Sequence, residues 1–509
     1  MEKTISDQSD AQIENIVVWL DFDTYAYTNF AIISALSKLN KFNFIGIVTT
    51  QQDMSFFQNQ QIIPFKKLVY YPACYIGKTR SDVDKLREIE KKYDLNIWLD
   101  VYAERSFYKY WTNFHKFTKD EILSIVENSI SFFVDILETF KPKLVLMQQA
   151  GENISNLLLY QIAKKMGITT LMPNILHMQN RILVSNNLLS SEISDEFKKI
   201  ISNFNNSTQN YDEEFIKKYD HAESLKTVLS YNYEISTFSK KINRYIKGLS
   251  HISEPIYKNI GKTRLKMIKY RYESHFTIKK RKQFLDDNSI KSIEDEKFLY
   301  FPLASEPEAR ILTTSPFYTN QINLVENIAR SIPINLVLYV KEHPAQKIKL
   351  WRPVSDYKTI VDLPNVKLVH PSVNNQELIS KSQGVIAISG SVGFEALFYK
   401  KPVILFADEH YDVLSMVTQI KTLTSLPNDI KNALNTFNFS NKEINAFMEA
   451  FNKCSISVPY HAIMKDGNIL SSIQRYENDF NFTIQQFNKF YETYRTYFKL
   501  IAETIYSKI

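Results

Sequence analysis

Ser389-Gly390-Ser391-Val392-Gly393 lies between an apolar run ending at Ile388 and a helix-like segment opening with Phe394-Glu395. Backbone N–H groups at the start of a helix lack intrahelical acceptors and carry the positive end of the helix dipole, so such a turn is a ready anion site. Ser389 and Ser391 add hydroxyl donors, and Gly390 and Gly393 let a ligand approach the backbone. Glycine is scarce in this chain, 10 in 509 residues, yet Gly384, Gly390 and Gly393 cluster here. A helix cap at Ser391 and a tight strand-to-helix turn would use the same residues. The pattern is neither a Walker loop nor the GxGxxG dinucleotide fingerprint. Glu395, on the first helical turn, could accept hydrogen bonds from vicinal ribose hydroxyls, or simply offset the helix dipole.

Upstream, Val340-Lys341-Glu342-His343-Pro344 delivers His343 just past the carboxyl end of a strand, where open α/β sheets bind ligands. A histidine there can donate to a phosphate and, when protonated, neutralise leaving-group charge. Lys341 flanks it. His370-Pro371, after strand-like Val366–Leu368, suits a loop reading a nucleobase, and equally a turn into the Asn375 helix. Tyr300-Phe301-Pro302-Leu303-Ala304-Ser305-Glu306-Pro307-Glu308 ends another strand at the same rim, which makes Glu308 a ligand candidate or an ordinary surface acid.

The N-terminal half offers two acids as general bases for an acceptor hydroxyl. One is Asp23, in Asp21-Phe22-Asp23; the other is Glu152, in Gln148-Gln149-Ala150-Gly151-Glu152-Asn153. Both also fit as structural acids. The Asp-x-Asp spacing imitates a metal motif of some sugar transferases, but it is far in sequence from the phosphate turn and has no third acid. No metal site is expected, and no bound cofactor is called for. No GxSxG elbow is present.

These residues need strands and helices to hold them. Between Ile13 and Asn187, short apolar runs at Ile16–Leu20, Phe44–Val48, Leu68–Tyr71, Leu144–Met147 and Thr169–Met172 alternate with helical periods at Phe30–Leu39, Ile122–Phe140 and Asn153–Met166. That alternation predicts an α/β unit with a parallel sheet. Residues 188–295 read as a helical insertion and linker. A second α/β unit, 296–426, follows with strands at Phe298–Pro302, Asn335–Val340, Val366–Leu368, Val385–Ile388 and Val403–Phe406. Residues 427–509 read as helices, and 1–12 as a disordered polar lead.

Length favours more than one core. The two cysteines, Cys74 and Cys454, support neither a disulfide framework nor a zinc site. Residues 1–12 lack a secretory pattern, and no apolar run reaches the ~20 residues of a membrane span, which predicts a cytoplasmic protein. The net charge of +7 is uneven: between Lys258 and Lys282 ten Lys and Arg residues face only Glu273. Such a stripe is a solvated helix, or it contacts an anionic glycan or anionic inner-membrane lipid. No nucleic-acid recognition motif accompanies it.

Taken together, YFPLASEPEA, VKEHP, VKLVHP and ISGSVGFEALFYKKPVILF resemble the C-terminal half of bacterial capsule and surface-polysaccharide glycosyltransferases, including those related to the Kdo transferases. LVLMQQAGENISNLLLYQIAKKMGI looks like the corresponding unit of their first domain. The resemblance implies a metal-independent GT-B architecture, with two Rossmann-like domains facing across a cleft. The C-terminal domain would hold the nucleotide sugar and the N-terminal one the glycan or glycolipid acceptor. His343 matches a motif contacting donor phosphate, Ser389, Gly390 and Ser391 the phosphate turn, and Glu395 the ribose acid. Rival expectations are a nucleotide-sugar epimerase or hydrolase of the same architecture, and an inactive assembly protein.

Overall fold

The computed structural model describes residues 13–21, 24–71, 81–110, 114–176, 178, 180–189, 191–204, 211, 215, 261, 263–474 and 483–509. Asp23, Cys74, Lys258 and Lys262 lie outside them. The first sheet is ordered β13-β6-β5-β4-β1-β2-β3. Its parallel core comprises β1 (Asn15–Leu20), β2 (Asn43–Val48), β3 (Phe65–Tyr70), β4 (Leu144–Leu146) and β5 (Thr169–Leu176). β6 (Arg181–Ser185) and β13 (Ile456–Ser457) extend it by antiparallel pairing.

The second sheet is wholly parallel among the described residues. It comprises β7 (Phe298–Pro302), β8 (Val337–Lys341), β9 (Val366–Val369), β10 (Gly384–Ala387), β11 (Val403–Leu405) and β12 (Val417–Gln419), ordered β12-β11-β10-β7-β8-β9. Counted from its own first strand, this is the 3-2-1-4-5-6 order of a doubly wound Rossmann sheet, and the core of the first sheet is 3-2-1-4-5. In each, the strand order reverses between the first and fourth strands. The crevice outside the carboxyl ends at that reversal is where such sheets bind ligands.

The strands form because both faces of each sheet are buried, so they read as continuous apolar runs. In β1, Ile16, Val18 and Leu20 enter one core, whereas Val17 and Trp19 enter the core on the opposite face. In β7, Phe298 and Tyr300 split from Leu299 and Phe301 in the same way. Helix Lys119–Phe140 starts with a capping box between Thr118 and Glu121 and lays Ile122, Val126, Ile130 and Phe133 on the first sheet. The region read as C-terminal helices also contributes β13. Its last two helices, Ile484–Thr493 and Arg495–Tyr506, return to the first sheet through Phe487 and Phe498.

Candidate functional site

Gly390 adopts φ 99° and ψ −177°, a backbone conformation that an L side chain rarely takes, and this swings the chain from β10 into helix Ser391–Phe398. Gly393 needs the absence of a side chain for another reason: a Cβ there would stand 2.5 Å from the Tyr411 hydroxyl. That hydroxyl donates to the Gly390 carbonyl at 2.6 Å and so braces the turn. The Gly390 N–H donates to Glu409 Oε1 at 2.7 Å, while Arg310 donates to Glu409 Oε2 at 2.7 Å. A carboxylate of the chain itself therefore occupies one donor of the turn.

Glu409 is buried and charged. Burial opposes its ionisation, but Arg310, His410 with Nδ1 3.6 Å away, and the Gly390 amide outweigh it and hold the carboxyl down at about 2. Neither Arg310 nor Glu409 was singled out in the sequence. The signal was available, since Asp408-Glu409-His410 follows β11 just as the serine-glycine turn follows β10.

Glu395 is nearly buried and accepts from the Ser391 hydroxyl at 2.9 Å. Lys341 lies behind it, bonded to Asn375, which also accepts from the Tyr300 hydroxyl at 3.0 Å. Burial lowers the Lys341 ammonium to about 8 against the pull of Glu395. Ser389 is half-buried on the strand side of the turn.

His343 caps the short helix Pro344–Lys349, its Nδ1 accepting from the Ala345 N–H at 3.1 Å. The ring proton therefore sits on Nε2, the free nitrogen. Burial, reinforced by Lys341, Lys349 and Arg352, lowers its pKa to about 4. At neutral pH His343 is therefore a neutral donor here. Its main-chain N–H donates to Glu342 at 2.6 Å, and Glu342 in turn accepts from Arg352 at 2.9 Å and from Tyr357 at 2.7 Å. Arg352 also reaches Glu306 at 2.6 Å.

From the first half, Glu152 meets Arg105 at 3.0 Å. A Cβ on Gly151 would stand 2.8 Å from Thr313, so this turn touches helix Ala309–Thr314 of the second half. Glu308, immediately before that helix, is raised in pKa by burial, against Lys349 and Arg310 and with the fields of Glu152 and Glu409. Lys349, lowered to about 8 by burial, feels Glu308, Arg105 and Glu152. The structure thus brings Glu152, Glu308, Lys349 and Arg105 together.

Asp21 is buried at the end of β1, accepting from Thr49 at 3.2 Å, Gln148 at 2.8 Å and Asn153 at 3.2 Å. His370 is held elsewhere, with Nε2 3.1 Å from Asp286 and Nδ1 2.5 Å from the Ser372 hydroxyl. It secures the end of a long helix, and like His343, Lys341, Glu308 and Glu152 it stands outside the lining of the cavity.

That cavity, about 330 Å³, opens between the halves. Gln149 and Asn174 of the first half line it, with Lys198 of helix Glu192–Ile201 and, from the second half, Arg310, Gly390, Ser391, Glu395 and Glu409. Among the described residues no group of three or more His, Cys, Asp or Glu side chains could hold a metal ion. No described helix is long and apolar enough to cross a membrane.

Two Rossmann-like sheets with a cavity between them, lined by the glycine turn of the second, define a GT-B arrangement. Residues 197–440 match the model of the capsule polysaccharide biosynthesis protein family, which bears out the resemblance over just under half the chain. No curated protein matches the chain.

Solved structures with a similar arrangement include UDP-GlcNAc 2-epimerases. That from Methanocaldococcus jannaschii is 14% identical, covering 86% of this chain and 100% of its own, with a TM-score of 0.25. That from Neisseria meningitidis, bound to UDP-GlcNAc, is 15% identical over 86% and 100%, with a TM-score of 0.23. The beta Kdo 2,7 transferase KpsC of Thermosulfurimonas dismutans is 12% identical over 65% and 88%, with a TM-score of 0.31. These superpositions are loose, and the two-sheet architecture rests on the strand pairing described above.

Proposed function

We propose that the chain transfers a sugar from a nucleotide-sugar donor, a CMP-activated acidic sugar being the first candidate, to a hydroxyl of a surface glycan or lipid-linked acceptor. The observation that carries this reading is the interdomain cavity whose second-half wall is the Gly390–Ser391 turn, Glu395 and Arg310. Glu395, on the first turns of the helix and bonded to Ser391, would accept from a ribose. Because the Gly390 amide is engaged by Glu409, donor phosphate would be met by the Ser391 end of the helix and by Arg310, with the His343 Nε2–H as a neutral donor. Glu152, held by Arg105, would take the acceptor proton, and closure of the halves would exclude water.

The test is thermal stabilisation of the full chain by CMP-, UDP-, GDP- and dTDP-sugars, followed by product analysis with glycan acceptors. One nucleotide is expected to raise the melting temperature, and Glu395→Ala and His343→Ala to abolish that rise. Stabilisation by none, or unchanged binding and glycan production in both variants, overturns the assignment. Release of altered free sugar from donor alone, at the full rate of turnover, replaces transfer by epimerisation or hydrolysis.

A further inference from the structure

Helix Arg264–Asn288 runs along the outside of both halves. At its start the Lys266 ammonium donates to the Phe114 carbonyl at 2.7 Å and Tyr270 packs on Phe114 with ring centroids 5.2 Å apart. Towards its end Arg281 donates to the Trp351 carbonyl at 2.9 Å and Leu285 is fully buried. The inner side is therefore fixed, and the outer side is fixed with it.

That outer side is unusual for a solvated helix. Leu265, Ile268, Tyr272 and Phe276 are 79%, 43%, 68% and 55% exposed. Their spacings of three and four residues put them on one face, over about 16 Å of helix at 1.5 Å per residue. Lys269, Lys279 and Lys280 border this row and are exposed. Lys269 meets Glu273 at 3.8 Å, and the two others have no charge partner among the described residues.

We propose that this face docks the protein on a membrane surface rich in anionic lipid, with the apolar row entering the headgroup boundary and the lysines meeting lipid phosphates. A basic helix with an apolar face is the form such interfacial elements take, and its attraction is set by buried apolar area together with charge. Charge alone would also attract an anionic glycan. The continuous apolar row decides for lipid, because a hydrated polyanion offers it nothing to enter. Docking here is independent of the donor site, so its outcome and that of the transfer reading are separable.

The experiment is sedimentation of the full chain with phosphatidylcholine vesicles, with and without phosphatidylglycerol. Binding is expected only to the anionic vesicles. Ile268→Ser with Phe276→Ser, which removes apolar area from the interface, and separately Lys279→Glu with Lys280→Glu, which reverses two charges, should each weaken it by about tenfold or more. Both variants should keep the parent melting temperature, since the altered side chains face outward. A Tyr272→Trp variant should be quenched by brominated lipid. Failure to bind anionic vesicles at low salt overturns the proposal. So does binding unchanged in the Ile268→Ser, Phe276→Ser variant. Full competition by a soluble anionic polysaccharide, with that variant still binding it normally, would assign the face to glycan.

Discussion

The two sheets reverse their strand order at equivalent places, and the chain fills the two crevices differently. At the first reversal, between β1 and β4, Asp21 accepts from the neutral side chains of Thr49, Gln148 and Asn153. At the second, between β7 and β10, Glu409 is matched by Arg310 and the Gly390 amide, and behind the next strand Glu342 is matched by Arg352. Thr49, Gln148 and Asn153 bring dipoles to Asp21, with the Arg105–Glu152 ion pair on the same turn after β4, whereas guanidinium groups reach Glu409 and Glu342 directly. A guanidinium set against a buried carboxylate creates a directed field, whereas amide and hydroxyl donors such as those on Asp21 mainly fix geometry. The donor side of a transfer reaction is where phosphate charge must be managed.

The sharpest way to break this contrast is to remove one charge. Arg352→Met strands Glu342 in the core, and Arg310→Ala strands Glu409. Each is expected to cost about 3–5 kcal/mol of unfolding free energy, measured by urea denaturation. Asp21→Asn, which sets an amide against two side-chain amide donors, should cost about 1–3 kcal/mol. An equal cost for Asp21→Asn and Arg352→Met would remove the distinction between the crevices. Within the second crevice, Gly390→Ala and Gly393→Ala should each cost about 1–3 kcal/mol, the first through backbone strain and the second through overpacking against Tyr411.

Acid should separate the halves by the sign of a slope. Glu409 is held at about 2 against an ordinary 4.5, so the stability it lends is complete above 4.5 and is lost as pH falls towards 2. His343, at about 4 against 6.5, acts in the same direction: between those values the unfolded chain takes up a proton that the folded one refuses, so stability falls with falling pH. In the first half, Asp100 is raised by burial from 3.8 to about 6, and its contribution is lost as pH rises through that window. Urea midpoints between pH 6.5 and 4 should fall less steeply in His343→Gln than in the parent, and more steeply in Asp100→Asn. Parallel curves for all three proteins would defeat this reading.

The same contrast explains what could be read from the sequence. Sheet strands buried on both faces announce themselves as apolar runs, and β7 is legible at both its ends. Helix Thr24–Leu36 begins six residues before the expected Phe30 because it is buried almost all round, which leaves no polar face to mark a period. β6 escaped notice because it follows β5 directly as an antiparallel partner, with no helix between them to mark the alternation, and β13 because it is only two residues long. Gly390, Ser391 and Glu395 were legible because glycine is scarce and helix starts have known chemistry. Arg310 was not, since its value comes from Glu409, a partner 99 residues away. His370 stands at the strand end as read, and Asp286 and Ser372 engage its ring, a pairing that a position in the sequence does not show.

The mildest expected effect lies where the halves meet. Lys349 donates to the Pro307 carbonyl at 2.6 Å and sits in the combined field of Glu308, Arg105 and Glu152, with its pKa lowered to about 8. If its charge helps hold the donor anion, KM for the donor should climb as pH rises through about 8, while kcat stays nearly flat. Lys349→Arg keeps the charge across that range and should move the climb to higher pH with less than about a tenfold change in KM at pH 7. The variant also tests which of two second-half lysines governs binding. An alkaline climb that persists unchanged in Lys349→Arg would pass the role to Lys341, the other second-half lysine at about 8, beside Glu395. A profile with no alkaline climb in the parent would mean that neither lysine's charge is felt by the donor.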